Sequence, residues 1–421
     1  MSLMRHEVFD NEAAKDPPTV DVSIVMPCLN EAACLPICIA NAREALAMIE
    51  AEFGLSGEIL IADNGSTDGS QEIAIAHGAR VAPVAERGYG AALIGGGWAA
   101  NGRYIVFGDA DGSYDFRESV PMIGKLIEGA DLCMGSRFLG GIAPGAMPWK
   151  NRYIGNPVLT GVLNLFFGSG IDDAHCGLRA ISRDAFRSLK LQSDGMEFAS
   201  EMVIKASLKK LVIAEVPATL APDLRDRPPH LRPWRDGWRH LRYLLMLSPT
   251  WAFGIPAAAA AAAGMIILAV AILHGLGALS GAGPFGASWT IVAGFLVTCG
   301  HFAAIMALAM HLLGVREGYR IMRPLVHRLA PILNLEAMLG IGLTLIAASV
   351  AGFVAVAWRW SEGSFGPLPS VLPLVLAAVA GTVGLQNVFG GFVLAIIGGH
   401  APVFFRHADP PAPPPGEEPT S

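Results

Sequence analysis

The sequence predicts an α/β domain with a Rossmann-like, mainly parallel sheet, followed by an all-α domain of four transmembrane helices. The first observation behind this prediction is the distribution of charge: residues 1–250 carry nearly all of the Asp, Glu and Lys, whereas residues 251–400 are almost free of charge. The second is an alternation of short apolar runs with helix-like segments in the first half, which is typical of parallel sheets. Of the 421 residues, 52% are hydrophobic and 16% are charged, whereas soluble domains usually carry about 25% charge.

Short apolar runs in the first half predict four strands, because each run is bounded by turn-forming residues. The predicted strands are 21–27, 58–62, 79–85 and 103–107. Segments with helical spacing of apolar residues lie between them, at 31–53, 68–77 and 88–100. Ligands of such sheets bind at the carboxyl ends of the strands. The polar clusters 28–31, 63–68 and 108–115 all fall at that end, so we expect the functional site there.

The second half contains four long apolar segments without Lys, Arg, Asp or Glu, at 251–273, 287–313, 337–358 and 371–397. Each exceeds the roughly 20 residues that cross a hydrocarbon core of about 30 Å. Arginines cluster before the first segment and between the second and third, whereas the other two connections hold one arginine at most. The positive-inside rule therefore predicts that the α/β domain, the 314–336 loop and both termini are cytoplasmic.

These patterns divide the chain into five segments. Their boundaries are 1–20, 21–231, 232–250, 251–400 and 401–421. The first segment lacks the apolar core of a signal peptide and the last is rich in Pro and Glu, so both are expected to be disordered. The second is the α/β domain and the fourth is the transmembrane domain. The third combines apolar residues at helical spacing with an arginine-rich face, which predicts an amphipathic helix in the membrane interface. Residues 315–330 resemble a second such helix, interrupted at Pro324.

Charge and cysteine content exclude some function classes. The formal net charge of −6 gives no support for nucleic-acid binding, which basic patches favour. The six cysteines include no CxxC pair of the kind that binds metal. We therefore interpret them as reduced thiols in a cytoplasmic setting.

The run Asp109-Ala110-Asp111 carries the clearest chemical signal. It follows a predicted strand, where the chain turns and both carboxylates can point at one hard cation. Mg²⁺ or Mn²⁺ accepts such oxygen ligands and leaves positions for substrate phosphates. Bound there, it would neutralise a leaving diphosphate. The competing interpretation is a plain turn, since Asp is common in turns.

Three further clusters have both a structural and a functional interpretation. Residues 27–31 and 63–68 fit a turn followed by a capped helix, and their side chains could also bind a nucleotide. Gly88-Tyr89-Gly90 opens a helix, where backbone N–H groups could face a phosphate. Two carboxylates one helical turn apart, Glu197 and Glu201, could meet the site or could form a solvated helix face.

Taken together, the ordered motifs resemble the family 2 glycosyltransferases, which have the GT-A nucleotide-sugar fold. Within that family the chain resembles the polyprenyl-phosphate sugar synthases of the dolichyl-phosphate mannose or glucose synthase kind. The resemblance covers roughly residues 21–245. The motifs are PCLNE (27–31), DNGSTD (63–68), RGYGAAL (87–93), DADGSY (109–114), GSRFLGG (135–141), DAHCGLR (173–179) and MEFASEM (196–202).

The resemblance implies a role for each matching residue. The residues implied to bind the nucleotide are Pro27, Asn30, Glu31, Asp63, Asn64 and Ala110. The metal, Mg²⁺ or Mn²⁺, would be held by Asp109, Asp111 and Ser113, the last at a position where many relatives have Gln. Asp109, Asp111 and Arg137 are the implied catalytic residues.

The resemblance also implies a phosphate-binding group for the acceptor. Its members are Arg137, Arg225, Arg227, His230 and Arg232. His230 occupies the place of a lysine in mannose-type relatives, and the expected arginine is displaced to Arg225 or Arg227. Asp173 and Arg179 match a motif that shapes the floor of the site.

The resemblance implies an inverting transfer of a sugar from a nucleotide-diphosphate sugar to a polyprenyl phosphate at the cytoplasmic membrane face. The patterns DADG and HCGLR resemble those of glucose-type relatives, and this resemblance favours a UDP-sugar over GDP-mannose. No strict general base is expected, because a phosphate monoester with a second pKa of about 6 is already mostly ionised. Asp115 is the candidate if a base exists.

Two alternatives stay open at this stage. The first is a glycosyltransferase with a hydroxyl acceptor on a glycolipid or polysaccharide, against which the absence of a QxxRW-type motif counts. The second is a non-catalytic membrane scaffold with a degenerate transferase domain, against which the intact Asp109 and Asp111 count. Whether the chain forms a homo-oligomer is also left open.

Overall fold

The chain divides into two compact units, Met1–Leu247 and Ser248–Ser421. The computed structural model describes residues 19–225, 233–279, 285–368 and 370–398. The predicted disordered tail, 401–421, lies outside the described residues, and so does the predicted disordered start as far as residue 18. Val20 already belongs to the first strand.

The first unit is built on one eight-stranded sheet. Its strands are β1 (Val20–Cys28), β2 (Gly57–Asp63), β3 (Arg80–Pro83), β4 (Gly102–Phe107), β5 (Leu132–Ser136), β6 (Gly141–Ile142), β7 (Arg179–Ser182) and β8 (Ile213–Leu220). The strand order is β3-β2-β1-β4-β7-β5-β8-β6. Every described pairing is parallel except those of β7 with β4 and β5. The predicted mainly parallel sheet is therefore confirmed.

Helices cover both faces of this sheet. They are α1 (Leu35–Phe53), α2 (Ser70–Ala76), α3 (Tyr89–Ala99), α4 (Val120–Ile127), α5 (Arg137–Gly140), α6 (Asn156–Phe167), α7 (Arg183–Leu189), α8 (Phe198–Leu208) and α9 (Pro233–Met246). Alternate residues of β1 enter opposite cores: Ile24 and Met26 pack with α1, whereas Val25 packs with α3 and α8. This alternation is the period of two that a strand imposes on its side chains.

The first helix starts later than the spacing of apolar residues predicts. We expect a helix from residue 31, but α1 begins at Leu35. Asn30 has a left-handed φ of 59°, and its side-chain Oδ1 accepts a hydrogen bond of 2.8 Å from the backbone N–H of Thr67. This contact holds the chain in a turn, and Pro36 then falls in the first helical turn, where proline is tolerated.

The register brings the predicted polar clusters to one edge of the sheet. Cys28, at the end of β1, is paired with Asp63, at the end of β2. Phe107, at the end of β4, is paired with Val25 of β1 and with Arg179 of β7. The residues that follow β1, β2 and β4 therefore emerge side by side.

The second unit is all-α. Its helices are α10 (Ile255–Gly275), α11 (Ala287–Arg316), α12 (Pro324–Arg328), α13 (Ala330–Leu333), α14 (Leu335–Glu362) and α15 (Leu372–Ile397). Among the described residues, four helical segments are long and apolar enough to cross a membrane: Thr250–Gly275, Ala287–Arg316, Leu335–Glu362 and Leu372–Ile397. The helical pattern predicted over residues 315–330 is interrupted before Pro324: residues 317–323 are not helical. Pro324 then begins α12, as proline commonly does at the first helical position.

Small residues allow the long helices of this unit to approach closely. A Cβ added at Gly342 would come within 2.7 Å of the backbone oxygen of Gly384, and the same holds in the reverse direction. Such contacts between small residues are typical of membrane helices, where van der Waals packing drives association. His301 also joins α11 to α15 through a 2.8 Å hydrogen bond between its Nδ1 and Oε1 of Gln386.

Candidate active site

The acidic pair lies just beyond β4, as predicted. Asp109 Oδ1 accepts a 2.9 Å hydrogen bond from the Tyr89 hydroxyl. Asp111 is buried, and its Oδ1 accepts hydrogen bonds from the backbone N–H and the hydroxyl of Ser113, at 3.0 and 2.6 Å. Burial, and then the negative charge of Asp111, raise the pKa of Asp109 to about 6. The chain thus holds two carboxylates together against their mutual repulsion, an arrangement that favours binding of a cation.

Glycine is required opposite Asp109. A Cβ added at Gly177 would approach Oδ2 of Asp109 to 2.7 Å and the Tyr114 ring equally closely. Real Cβ atoms do not approach a neighbour so closely, so a side chain at this position would displace the carboxylate. The glycine of the 173–179 motif therefore leaves room for the acidic pair.

Arg225 joins the acidic pair to the first polar cluster. Its Nη2 donates a hydrogen bond to Oδ2 of Asp111, and its Nη1 lies 3.4 Å from Oε1 of Glu31. Burial alone would lower the pKa of Arg225, but the Asp111 and Glu31 carboxylates raise it. Arg225, which is predicted to bind the acceptor phosphate, therefore forms an ion pair with Asp111, which is predicted to bind the metal. The other predicted phosphate-binding residues of this segment, Arg227, His230 and Arg232, lie outside the described residues.

The donor atoms at this edge fit a hard divalent cation. Asp109 and Asp111 offer carboxylate oxygens, and the guanidinium of Arg225 shows that Asp111 accommodates a neighbouring positive charge. Within the described ranges, no cluster of three or more His, Cys, Asp or Glu residues could form a metal cage. Sites with one or two carboxylates, completed by water and substrate phosphates, are typical of Mg²⁺. Ser113 donates to Asp111, so its inclusion among the metal ligands stays a prediction.

The residues predicted to bind the nucleotide also bind one another. Besides its bond with Thr67, Asn30 donates its backbone N–H to the Ser66 hydroxyl at 2.9 Å. Asp63 accepts a 2.6 Å hydrogen bond from Nε2 of Gln71. Asn64 donates to the Val84 carbonyl at 3.1 Å. These contacts fix the loops after β1 and β2 side by side, so the turn part of the interpretation holds, but neither following helix has a side-chain cap. Nucleotide binding by these side chains, and by Pro27, Glu31 and Ala110, stays a prediction.

The Gly88-Tyr89-Gly90 motif does not present its N–H groups to a phosphate. The Gly88 N–H donates to Oδ1 of Asn64 at 2.8 Å, and the Gly90 N–H donates to the Asp194 carbonyl at 3.0 Å. A Cβ at Gly90 would lie 2.0 Å from the Ser193 carbonyl oxygen. The hypothesis of a phosphate-binding helix start is wrong here, because the Asn64 side chain accepts the Gly88 N–H and the loop at 193–195, which packs over both glycines, accepts the Gly90 N–H.

Arg137 and Asp173 form a buried ion pair. Nε of Arg137 lies 2.6 Å from Oδ2 of Asp173, and Nη2 lies 2.8 Å from Oδ1. The backbone N–H of Arg137 also donates to Oδ2 at 3.2 Å. Burial works against the charged form of Arg137, but Tyr114 and Asp173 raise its pKa well above the usual value. The pair is bidentate, so the guanidinium is fixed in one orientation.

Every contact described for Arg179 is with the surrounding protein backbone or core. Its guanidinium is buried, donates to the carbonyls of Cys176 and Ala199, and lies over the Phe198 ring. These contacts tie the 173–179 motif to α8, beneath the acidic pair. Its predicted place in the floor of the site agrees with this position, although a part in catalysis is untested.

Asp115 is held by neighbours and is not poised to take a proton. Its carboxylate accepts hydrogen bonds from the Arg117 side chain and from Nδ2 of Asn41. The hydrogen bonds from Arg117 lower its pKa. A base needs a pKa near the working pH, so this environment gives Asp115 a structural role.

The interpretation that Glu197 and Glu201 form a solvated helix face is wrong for Glu201. Its side chain is fully buried and lies 2.7 Å from Nζ of Lys205. It also accepts the backbone N–H groups of Gln192 and Ser193, so it shapes the loop over the glycine motif. Glu197 instead pairs with Arg239 of α9 at 3.0 Å.

Sequence reasoning missed one polar chain beneath the site. Nε2 of His175 lies 3.1 Å from the Ser200 hydroxyl, which lies 2.9 Å from Nδ1 of His240. The two imidazole rings are 5.0 Å apart. His175 is visible in the 173–179 motif, but Ser200 is 25 residues away and His240 a further 40. Only the folded chain brings the three together.

This polar chain predicts an acid-sensitive fold. Burial, and then the charges of His240, Arg137 and Arg179, lower the pKa of His175 well below 6.5. The folded protein therefore holds His175 neutral, and its contribution to stability is present above pH 6.5 and is lost as pH falls below that value. We expect the Tm of the solubilised protein to fall between pH 7 and pH 5 (roughly the range in which a histidine titrates), and to fall less in His175→Gln. An equal loss in both proteins would contradict this prediction.

Comparisons with known proteins identify the family. The model of glycosyl transferase family 2 matches residues 23–190, and that of the glycosyltransferase family 2 C-terminal transmembrane region matches residues 308–398. The chain is 36% identical over 378 residues to the low-salt glycan biosynthesis hexosyltransferase Agl6 of Haloferax volcanii, an alignment that covers 90% of this chain and 89% of that protein.

More distant relatives match the first unit. The polyprenol monophosphomannose synthase of Mycolicibacterium smegmatis is 29% identical over 49% of this chain and 81% of its own length. Among solved structures, glucosyl-3-phosphoglycerate synthase from Mycobacterium tuberculosis, in complex with Mn²⁺, UDP and its product, is 24% identical with a TM-score of 0.40, and covers 54% of this chain and 78% of its own.

The two family models agree with the sheet and the apolar helices described above. They confirm the GT-A fold with a C-terminal transmembrane region, and they show that the protein is an enzyme of the membrane. The chain belongs to glycosyltransferase family 2, where, as its ordered motifs predict, it is similar to the polyprenyl-phosphate sugar transferases.

Proposed function

We propose that this enzyme transfers a hexose, with inversion, from a nucleotide-diphosphate sugar to a polyprenyl phosphate at the cytoplasmic face of the membrane. The observation that carries the proposal is the contact of Arg225 with Asp111 and Glu31. It brings a cation suited to a phosphate acceptor next to carboxylates suited to a metal-bound diphosphate. Hexosyl transfer and a polyprenyl acceptor are also supported by the names of the relatives in Haloferax and Mycolicibacterium.

Asp109 and Asp111 would hold the metal, Mg²⁺ or Mn²⁺. When bound, this ion supplies positive charge that stabilises the leaving nucleoside diphosphate. Tyr89 orients Asp109, and Ser113 orients Asp111, through the hydrogen bonds described above. Because these partners fix both carboxylates before substrate binds, little reorganisation is needed during the reaction.

The acceptor phosphate would be positioned by Arg137 and Arg225. Arg137 is held by Asp173, so its orientation is set before the lipid arrives. Arg225 pairs with Asp111 and Glu31, and an arriving phosphate would compete for its guanidinium. An ionised phosphate oxygen is itself the nucleophile and needs no proton removed, which agrees with the structural role of Asp115.

The donor is proposed to be a UDP-sugar, on the DADG and HCGLR patterns of residues 109–112 and 175–179. The cytoplasmic orientation rests on the arginines that flank the first span and lie between the second and third. A labelling test of orientation is direct: a thiol reagent that does not cross membranes should modify a cysteine placed at Leu325, in the 314–336 loop, only in inside-out vesicles.

One assay tests the reaction. Membranes containing the protein are incubated with a panel of UDP- and GDP-sugars and a polyprenyl phosphate, and the lipid product is identified by mass spectrometry. We expect a polyprenyl-phosphate hexose, formed from a UDP-sugar and dependent on Mg²⁺ or Mn²⁺. Transfer to a hydroxyl acceptor instead of the lipid phosphate would overturn the proposal, and so would nucleotide-sugar turnover without any lipid product.

A further inference from the structure

The helix α6 and the turn before it expose an apolar surface on the first unit. This surface, here called the α6 surface, consists of Trp149, Tyr153, Ile154, Val158 and Leu165, each more than half exposed. Ile154, Val158 and Leu165 follow one another at intervals of four and seven residues, so they share one face of the helical segment. The opposite face is apolar as well: Leu163 is fully buried and packs in the core with Leu159 and Phe166.

A helix that is apolar all round is normally covered on every side. No charged residue occurs from Tyr153 to Ile171, so the exposed face of α6 has none of the solvating side chains of an ordinary surface helix. Contiguous exposed apolar surface of this kind marks a binding face. Some partner must therefore cover the α6 surface in the working protein.

Charge at the edge of the surface indicates which partner this is. Nζ of Lys150 lies 5.9 Å from the centre of the Trp149 ring, and Cζ of Arg152 lies 5.5 Å from that of the Tyr153 ring. No acidic residue occurs from residue 143 to residue 171. Aromatic rings accompanied by cations are typical of the headgroup level of a membrane, where the ring is half in hydrocarbon and the cation meets lipid phosphates.

A second copy of the chain fits this surface less well. In a symmetric contact the same patch occurs on both partners. Lys150 and Arg152 of one copy would then face the same cations of the other, without an acidic residue in the segment to offset the repulsion. An anionic lipid surface gives the complementary charge.

The neighbouring helix reinforces this choice. The helix α9 packs against α6 and exposes Trp238 and Met246. Only Leu247 lies between the end of α9 and Ser248, where the membrane unit begins. Since packed helices lie about 10 Å apart, α6 lies beside the helix that directly precedes the membrane unit in the sequence.

We propose that the α6 surface is a second membrane-contact surface, which rests on the headgroup region of an anionic bilayer beside α9. It follows Arg137 in the chain by way of α5, whose Leu139 is also exposed. The α6 surface thus holds α5 at the depth of the lipid phosphates. At that depth Arg137 can position the acceptor phosphate. The membrane contact itself does not depend on the identity of the sugar or the acceptor, whereas its benefit to the acceptor phosphate rests on the proposed function.

Depth-dependent fluorescence quenching tests the contact in the full-length protein. A Cys299→Ser background removes the one thiol that is exposed among the described cysteines. Environment-sensitive labels are then placed at Ile154→Cys or Val158→Cys, and at Ile75→Cys as a matched control, since Ile75 of α2 is also more than half exposed. In nanodiscs of phosphatidylcholine and phosphatidylglycerol that carry one protein each, we expect spin-labelled lipid to quench the labels on α6 at least about threefold more than the control.

Equal quenching at Ile75 and at the α6 positions would overturn the proposal. So would a blue shift of the α6 labels that appears only with two proteins per nanodisc, because that result assigns the surface to a second copy. Neither readout needs catalysis, so a failure of the proposed reaction would not be mistaken for a failure of the membrane contact.

A kinetic comparison provides a second test of the membrane contact. We expect Val158→Glu to raise the KM for polyprenyl phosphate presented in vesicles about tenfold, through the cost of bringing a charge to the interface, with the KM for the nucleotide sugar unchanged. Ile75→Glu introduces the same charge on α2, which packs on the other face of the sheet from α6, and should leave both constants unchanged. Equal KM values for the lipid in the two variants would contradict the proposal.

Discussion

Replacing Asp111 with asparagine is expected to lower sugar transfer by about a thousandfold or more, the size of effect seen when a preorganised electrostatic group is removed. Asparagine keeps the shape of the side chain and can still accept the hydrogen bonds from Ser113. It removes the charge that pairs with Arg225 and that we propose would hold the metal. The measurement is the initial rate of lipid-linked sugar formation at saturating Mg²⁺ or Mn²⁺.

The matched control for this change is Asp115→Asn in the same loop. Asp115 caps the turn that follows and binds Arg117 and Asn41, so its replacement should alter the rate only a few-fold (roughly the effect of a lost hydrogen bond). A rate for Asp111→Asn within tenfold of the original enzyme would contradict the metal assignment. A rate for Asp115→Asn as low as that of Asp111→Asn would restore Asp115 as a catalytic base.

The second large effect concerns stability. We expect Asp173→Ala to lower the free energy of unfolding by about 3–5 kcal/mol, because it leaves the buried guanidinium of Arg137 without its counter-charge. Asp173 is fully buried and Arg137 nearly so, so solvent cannot replace the lost carboxylate. The change is measured by heating the protein in detergent and monitoring its unfolding through the loss of transferase activity.

An exposed ion pair provides the contrast. Arg117 pairs with Asp115 and Glu44, and about half of its side chain is exposed. Because water and salt screen such pairs, Arg117→Ala should leave the unfolding temperature nearly unchanged. If Asp173→Ala were as stable as Arg117→Ala, the carboxylate of Asp173 would not be what fixes Arg137. The double variant Asp173→Ala/Arg137→Met should recover part of the loss, since it removes the stranded charge as well.

The order of strands and helices could be predicted because local sequence carries it. The runs at 21–27 and 103–107 are apolar and bounded by turn residues, and each becomes a strand of the sheet. The acidic pair follows the second of these runs directly, so its place at the sheet edge needed no tertiary information. The four apolar helices likewise follow from composition and length alone.

Some local patterns were misleading because a distant segment competes for the same backbone. The spacing of apolar residues predicts a helix from residue 31, but the contact of Asn30 with Thr67 delays it to Leu35. The glycines at 88 and 90 suggest a phosphate site, but the Gly88 N–H donates to the Asn64 side chain and the Gly90 N–H donates to the Asp194 carbonyl. None of these competitors is visible in a short window of sequence.

What the sequence by itself determined is therefore the kind of site, its position at the carboxyl ends of the strands, and the membrane half that accompanies it. Only the tertiary structure decided which charges meet: Arg225 reaches Asp111 across 114 residues, and Arg137 reaches Asp173 across 36. The reason is physical, because periodicity and turn chemistry are set by neighbours along the chain, whereas an ion pair depends on where loops close and on which rotamers burial permits. The α6 surface is a further example of what sequence alone does not determine. Its apolar residues are of the types that usually form a core, and only the folded structure shows that one face of the helix is exposed.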